Sequence, residues 1–85
     1  MDKTIYNQEY QLFIAMLKEY RIKKNLTQGE LAIKLGWSNH TYVSKIESAE
    51  RRIDFIEWKN ICFALEISPI KFFKEFEKRL EEMKK

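Results

Sequence analysis

Leu26-Thr27-Gln28-Gly29-Glu30-Leu31-Ala32-Ile33-Lys34-Leu35-Gly36, continued by Trp37-Ser38-Asn39-His40-Thr41-Tyr42-Val43-Ser44-Lys45-Ile46-Glu47, decides the fold of this 85-residue chain. Thr27 with Glu30 three residues later is a capping box, in which a hydroxyl and a carboxylate each accept a backbone N–H at a helix start. It predicts a helix with an apolar side of Leu31, Ala32 and Leu35, ended by Gly36. Ser38 or Asn39 then starts another helix, with Val43 and Ile46 facing inward and Glu47-Ser48-Ala49 near its end. Two short helices joined by a tight turn, over about residues 27–48, have the layout of a helix-turn-helix.

The flanking sequence is helical too. Tyr6, Tyr10, Phe13, Ile14 and Leu17 recur at spacings of three and four, predicting a helix from about Tyr6 to Lys24, and Asn25 suits a left-handed C-cap. Asp54 with Glu57 repeats the capping-box pattern and opens a helix through Phe55, Trp58, Ile61, Cys62 and Leu65, with Trp58 and Cys62 on its apolar face as core. Ser68-Pro69 is an N-cap followed by proline at the first helical position, where its missing N–H costs nothing, so a last helix spans about residues 69–84. The expectation is an all-α, compact five-helix domain over residues 1–85 with an extended C-terminal helix. Hydrophobic residues at 45% with two glycines and one proline agree with that economy, and the length suits one domain.

Composition also narrows function. The single cysteine, Cys62, excludes an internal disulfide and a cysteine-based zinc cluster, and suits a reducing cytoplasm. Neither a signal-like N-terminus nor an 18-residue apolar span is present, so secretion and membrane insertion are not expected. One histidine, one cysteine expected to be buried and no glycine-rich phosphate loop provide no nucleophile or base set, so neither an enzyme, a metal nor a cofactor is expected. From Lys18 to Arg52 the chain carries Lys18, Arg21, Lys23, Lys24, Lys34, Lys45, Arg51 and Arg52 against Glu19, Glu30, Glu47 and Glu50. The net charge of +3 thus gathers around the suspected reading unit, as recognition of a polyphosphate requires.

In a double-stranded DNA reader the second short helix enters the major groove and presents polar groups from its N-terminal end. The residues expected to face bases are Asn39, His40, Thr41, Ser44 and Lys45. Thr27 and Gln28 at the start of the preceding helix, with Tyr42, Arg51 and Arg52, are the expected phosphate contacts. Gly29 costs about 1 kcal/mol against alanine within a helix, a cost that close backbone approach to a ligand would explain.

The run Arg21, Leu26-Thr27-Gln28, Leu31-Ala32, Leu35-Gly36, Val43-Ser44-Lys45-Ile46-Glu47 and Glu50-Arg51-Arg52 resembles the phage-repressor and Cro-like helix-turn-helix family, the Xre type, over roughly residues 12 to 75. Leu65-Glu66-Ile67-Ser68-Pro69 matches the passage between its last two helices. The resemblance implies a repressor-like five-helix transcription regulator that binds palindromic operators as a homodimer. It also implies that Arg21 and Glu47 form an ion pair tying the first helix to the end of the reading helix. Two departures stand out. Ten residues rather than nine separate Gly36 from Glu47, lengthening the turn or moving the start of the reading helix, and Ala49 replaces the glycine common at that position, so the reading helix is expected to end differently.

Phe73, Phe76, Leu80 and Met83 follow a 3-4-3 spacing along the last helix. Phe73 and Phe76 are expected to pack partly within their own domain, while Phe76, Leu80 and Met83 are the expected dimer interface. An antitoxin-like module that captures a toxin protein, with operator binding secondary, is the alternative.

Overall fold

The computed structural model describes residues 3–84, with side chains described from Gln8 onward. Five helices follow in order: α1 Lys3–Lys23, α2 Gln28–Lys34, α3 Thr41–Glu47, α4 Phe55–Ala64 and α5 Pro69–Met83. The described residues contain no strand. Tyr6 lies outside the described side chains.

Each start signal acts as its chemistry requires. The Thr27 hydroxyl accepts the Glu30 N–H at 3.0 Å while the Glu30 carboxylate accepts the Thr27 N–H at 2.8 Å. Asp54 and Glu57 do the same for α4, at 2.8 and 3.0 Å. The Ser68 hydroxyl accepts the Lys71 N–H at 3.3 Å ahead of the proline-led α5.

The helix ends share one motif. Asn25, Gly36, Ala49 and Glu66 all adopt left-handed φ, between 57° and 78°. In each case the following N–H reaches back to the first carbonyl of the last turn: Leu26 to Arg21, Trp37 to Ala32, Glu50 to Lys45 and Ile67 to Cys62. This is the Schellman arrangement, which satisfies carbonyls that a helix end otherwise leaves open. Glycine supplies it once. Ala49 adopts φ 65° despite its Cβ, so α3 ends in the left-handed cap that the substitution was expected to disturb.

The core gathers Ile14, Met16 and Leu17 of α1, Leu31 and Ala32 of α2, Val43 and Ile46 of α3, Ile61 and Cys62 of α4, Leu65 and Phe72. Met16, completely buried, falls outside the predicted stripe of α1. Phe13 forms an aromatic hub, edge-on to Phe72 at 5.9 Å, to Phe76 at 6.3 Å and to Trp58 at 6.5 Å. Burial pushes the Cys62 thiol up to about 11, which leaves it inert at neutral pH.

The register of α5 needs a correction. Phe72 is the buried residue, whereas Phe73, expected inside, is 53% exposed. The inward side of α5 therefore carries Phe72 and Phe76, with Phe76 seated on Phe13 of its own chain. Met83 remains exposed.

Candidate nucleic-acid interface

The capped start of α2 and the left-handed Gly36 set the angle at which α3 leaves the domain surface. Val43 and Ile46 anchor α3, at 2% and 3% exposure. With 100° between successive residues, Thr41 points almost directly away from that anchor, Ser44 and Lys45 lie to either side of Thr41, and Tyr42 lies on the flank. His40, Thr41, Tyr42 and Lys45 are exposed and Ser44 is half-buried. The outer side of α3 is therefore a short strip of hydroxyls, an imidazole and an ammonium group, next to an aromatic ring.

The extra residue between Gly36 and Glu47 lies in the turn. α3 spans Thr41–Glu47 and residues 37–40 cross between the helices, with the start set at Asn39, one of the two expected start residues. Asn39 accepts the Thr41 N–H at 2.8 Å through its side-chain oxygen, so it caps the helix locally and has that oxygen committed away from any base. His40 already has helical dihedrals and becomes the first outward side chain.

The far end of α3 is held by charge. Arg21 donates through Nε to Glu47 Oε2 at 2.6 Å and through Nη2 to Glu47 Oε1 at 3.0 Å. Its Nη1 donates to the Leu26 carbonyl at 2.6 Å. The two side chains are only 10% and 7% exposed, so this forked pair is close to a buried one. Gln28, expected to offer its amide to phosphate, instead donates Nε2 to Glu47 Oε1 at 3.0 Å. The Thr27 hydroxyl serves the capping box and remains exposed.

Arg51 and Arg52 diverge. Arg51 lies over the Tyr42 ring at 5.0 Å and donates to Glu57 at 2.8 Å, while Tyr42 meets Trp37 edge-on at 5.6 Å. Glu57 thus uses one oxygen for the α4 cap and the other for Arg51. Its hydrogen bond keeps the Arg51 guanidinium firmly charged. Arg52 lies over the Tyr10 ring at 4.5 Å, toward α1. Reading the sequence missed both the Gln28 to Glu47 bond and the Trp37, Tyr42, Arg51 stack. Pairings between distant segments leave no periodic trace; the aromatic pair Trp37 and Tyr42, five residues apart across the turn, was the one available signal.

Among the described residues no group of histidine, cysteine or carboxylate side chains could hold a metal ion, and no helix is long and apolar enough to cross a membrane. A capped helix, a left-handed turn and a polar helix clamped at its end by a buried ion pair together define a helix-turn-helix reading domain. The comparisons specify it further. The family model described as Helix-turn-helix matches residues 17–72. An XRE-family like protein from Pseudomonas syringae pv. tomato superposes with a TM-score of 0.84 at 39% identity, covering 91% of this chain and 93% of its own. The chain belongs to the XRE-type helix-turn-helix family.

The restriction-modification controller protein C.Esp1396I is also similar, with a TM-score of 0.79 and 28% identity over 87% of this chain and 95% of that one. The same controller, solved as a tetramer on its natural 35 base-pair operator, matches at 0.76 and 29% over 85% of this chain and 93% of that one. No curated protein gives a significant sequence match.

Proposed function

We propose that the chain is a transcription regulator that binds double-stranded DNA as a homodimer on a palindromic operator. The observation that carries the reading is the exposed strip of His40, Thr41 and Lys45 on a helix whose opposite side is buried and whose end is fixed by Arg21 and Glu47. In this reading α3 occupies the major groove, with His40, Thr41 and Lys45 at base edges and Ser44 at the margin. Thr27, the second N–H of the Gln28 amide, Tyr42, Arg51 and Arg52 supply backbone contacts that fix register.

Gly29 supports the same orientation. A Cβ there would meet only the Thr27 hydroxyl, at 3.9 Å, so packing inside the domain does not require glycine. Close approach of a DNA backbone to α2 does give it a use. The operator-bound C.Esp1396I favours this reading by similarity.

One reading helix makes too few base contacts for high specificity, so a second copy about 34 Å away, one DNA turn, completes the device. Exposed apolar residues on the side of α4 and α5 favour a self-association surface there. Ile56, Phe63, Ile70 and Phe73 are between 53% and 74% exposed. Phe55 and Phe73 line one open apolar groove with Trp58 and Phe76, so the aromatic surfaces of the two helices meet. Solvent-exposed patches of this kind mark association surfaces. Leu80 and Met83 extend the surface, and Phe76 contributes its edge.

Selection of bound sequences from a random duplex pool tests the proposal. A palindrome whose half-sites lie about one helical turn apart is the expected product. A pool without enrichment would reject sequence-specific recognition, and enrichment of single half-sites would reject the dimer.

A further inference from the structure

Glu47 accepts three hydrogen bonds from two other segments. Arg21 of α1 gives two and Gln28, the first residue of α2, gives one, while Arg21 also holds the Leu26 carbonyl ahead of that helix. The carboxylate at the end of the reading helix therefore fixes a side chain on the neighbouring helix that faces the DNA backbone in the proposed complex. A primary amide has two N–H donors. With one on Glu47 Oε1, the carboxamide plane of Gln28 is set and its remaining donor has a defined direction.

We infer that Glu47 is a positioning and specificity-determining residue, acting through Gln28, so that phosphate contact by α2 and base reading by α3 are energetically coupled. The inference rests on the proposed DNA-binding function and deepens it. Gln28 held free of DNA in this way loses little rotamer freedom on binding. A phosphate seated on its second N–H pulls, through Glu47, on the C-terminal end of the helix that carries Thr41 and Lys45. A duplex that seats the phosphates while mismatching the bases satisfies only half of the linked unit.

Charge and positioning predict opposite outcomes for Glu47→Gln. Removal of a negative charge near DNA strengthens binding to any duplex. Loss of positioning weakens binding to the selected operator alone. The experiment measures affinities of the wild type, Glu47→Gln, Gln28→Ala and the double variant for the selected operator and for a scrambled duplex of equal length, below the unfolding midpoint of every variant.

Each single variant is expected to lose about tenfold on the operator, and the double no more than about threefold beyond the weaker single, the signature of coupled neighbours. Binding of Glu47→Gln to the scrambled duplex should be unchanged or tighter. Multiplying losses in the double variant, or equal weakening of Glu47→Gln on both duplexes, would overturn the inference. Gln28→Ala removes an amide from a half-buried surface position, so it tests the link even where Glu47→Gln lowers stability. A wild type that does not prefer the operator is a distinct result, and defeats the DNA-reading proposal itself.

Discussion

Glu19 and Arg21 lie two residues apart on α1, and each forms a forked ion pair with a helix far along the chain. Arg21 pairs with Glu47 of α3 at 10% and 7% side-chain exposure; Glu19 pairs with Arg79 of α5 at 46% and 31%. The second pair is part of a network, since Arg79 also reaches Glu75 at 2.6 Å and Glu75 accepts the Tyr20 hydroxyl at 2.6 Å. The first, with Gln28 and the Leu26 carbonyl, has as many hydrogen bonds and is far better shielded from water. With contacts equal in number, shielding decides the energetic consequence. A shielded charge that loses its partner has no solvent to replace it, whereas an exposed one is rehydrated. The end of α1 thus fixes the reading helix rigidly on one side and stitches the terminal helix loosely on the other.

Breaking the shielded side should have the largest effect. Arg21→Ala leaves the Glu47 carboxylate with Gln28 alone and no cation, and the Leu26 carbonyl without its side-chain donor, and a loss of about 3 kcal/mol is expected by denaturant titration. Arg79→Ala, measured in the same way, should lose less than about 1 kcal/mol although Arg79 makes as many hydrogen bonds as Arg21. Equal losses would remove the distinction between the two sides.

Two backbone positions sharpen it next. Ala49 closes α3 beside Glu47 with left-handed φ, which opposes the preference of an L side chain by roughly 1–2 kcal/mol. Ala49→Gly relieves that strain and should stabilise the domain by about 1 kcal/mol, a rise of about 4–8 °C in Tm. Gly29→Ala should also stabilise, by up to about 1 kcal/mol, because nothing in the domain resists the added methyl. The two part on DNA: Ala49→Gly leaves operator affinity unchanged, while Gly29→Ala weakens it by crowding the backbone approach.

The smallest effects are those of pH on the exposed side. The hydrogen bond from Arg79 holds the Glu19 carboxyl below the usual range against a smaller opposing effect of burial. Its contribution is therefore present above the ordinary carboxylate value and lost as pH falls through the lowered one. Tyr20 moves the other way, pushed up to about 12 chiefly by its hydrogen bond to Glu75 and then by burial. Its contribution is complete below the ordinary phenol value of about 10 and fades as pH rises toward about 12. Phenolate absorbance should show a tyrosine that titrates late, toward about 12, and is returned toward the ordinary phenol value by Glu75→Gln.

What the sequence made legible follows the range of the interactions. Capping boxes at Thr27 and Asp54, the proline-led start of α5 and the left-handed position of Asn25 are local chemistry, readable from residues a few places apart. Helical spacing found the inward residues of α2 and α3 for the same reason, and those of α4 apart from Phe55, which is 69% exposed. The register of α5 failed by one residue, because Phe72 and Phe73 are equally apolar and only the position of Phe13 decides which turns inward. In the candidate site, the outward strip of α3 was legible once Val43 and Ile46 were taken as inward. The stack of Trp37, Tyr42 and Arg51 and the hold of Glu47 on Gln28 were not. They depend on where separate segments meet, and only the resemblance to relatives pointed to Arg21 and Glu47 as partners.

The central claim is that a helix clamped by Arg21 and Glu47 presents His40, Thr41 and Lys45 to DNA bases. Its most direct test is the affinity of a variant with all three replaced by alanine, for the selected operator and for a scrambled duplex. The three side chains are exposed, so the variant keeps its fold. The account predicts that the preference for the operator over the scrambled duplex collapses while weak, salt-sensitive binding to both persists. An undiminished preference would contradict it.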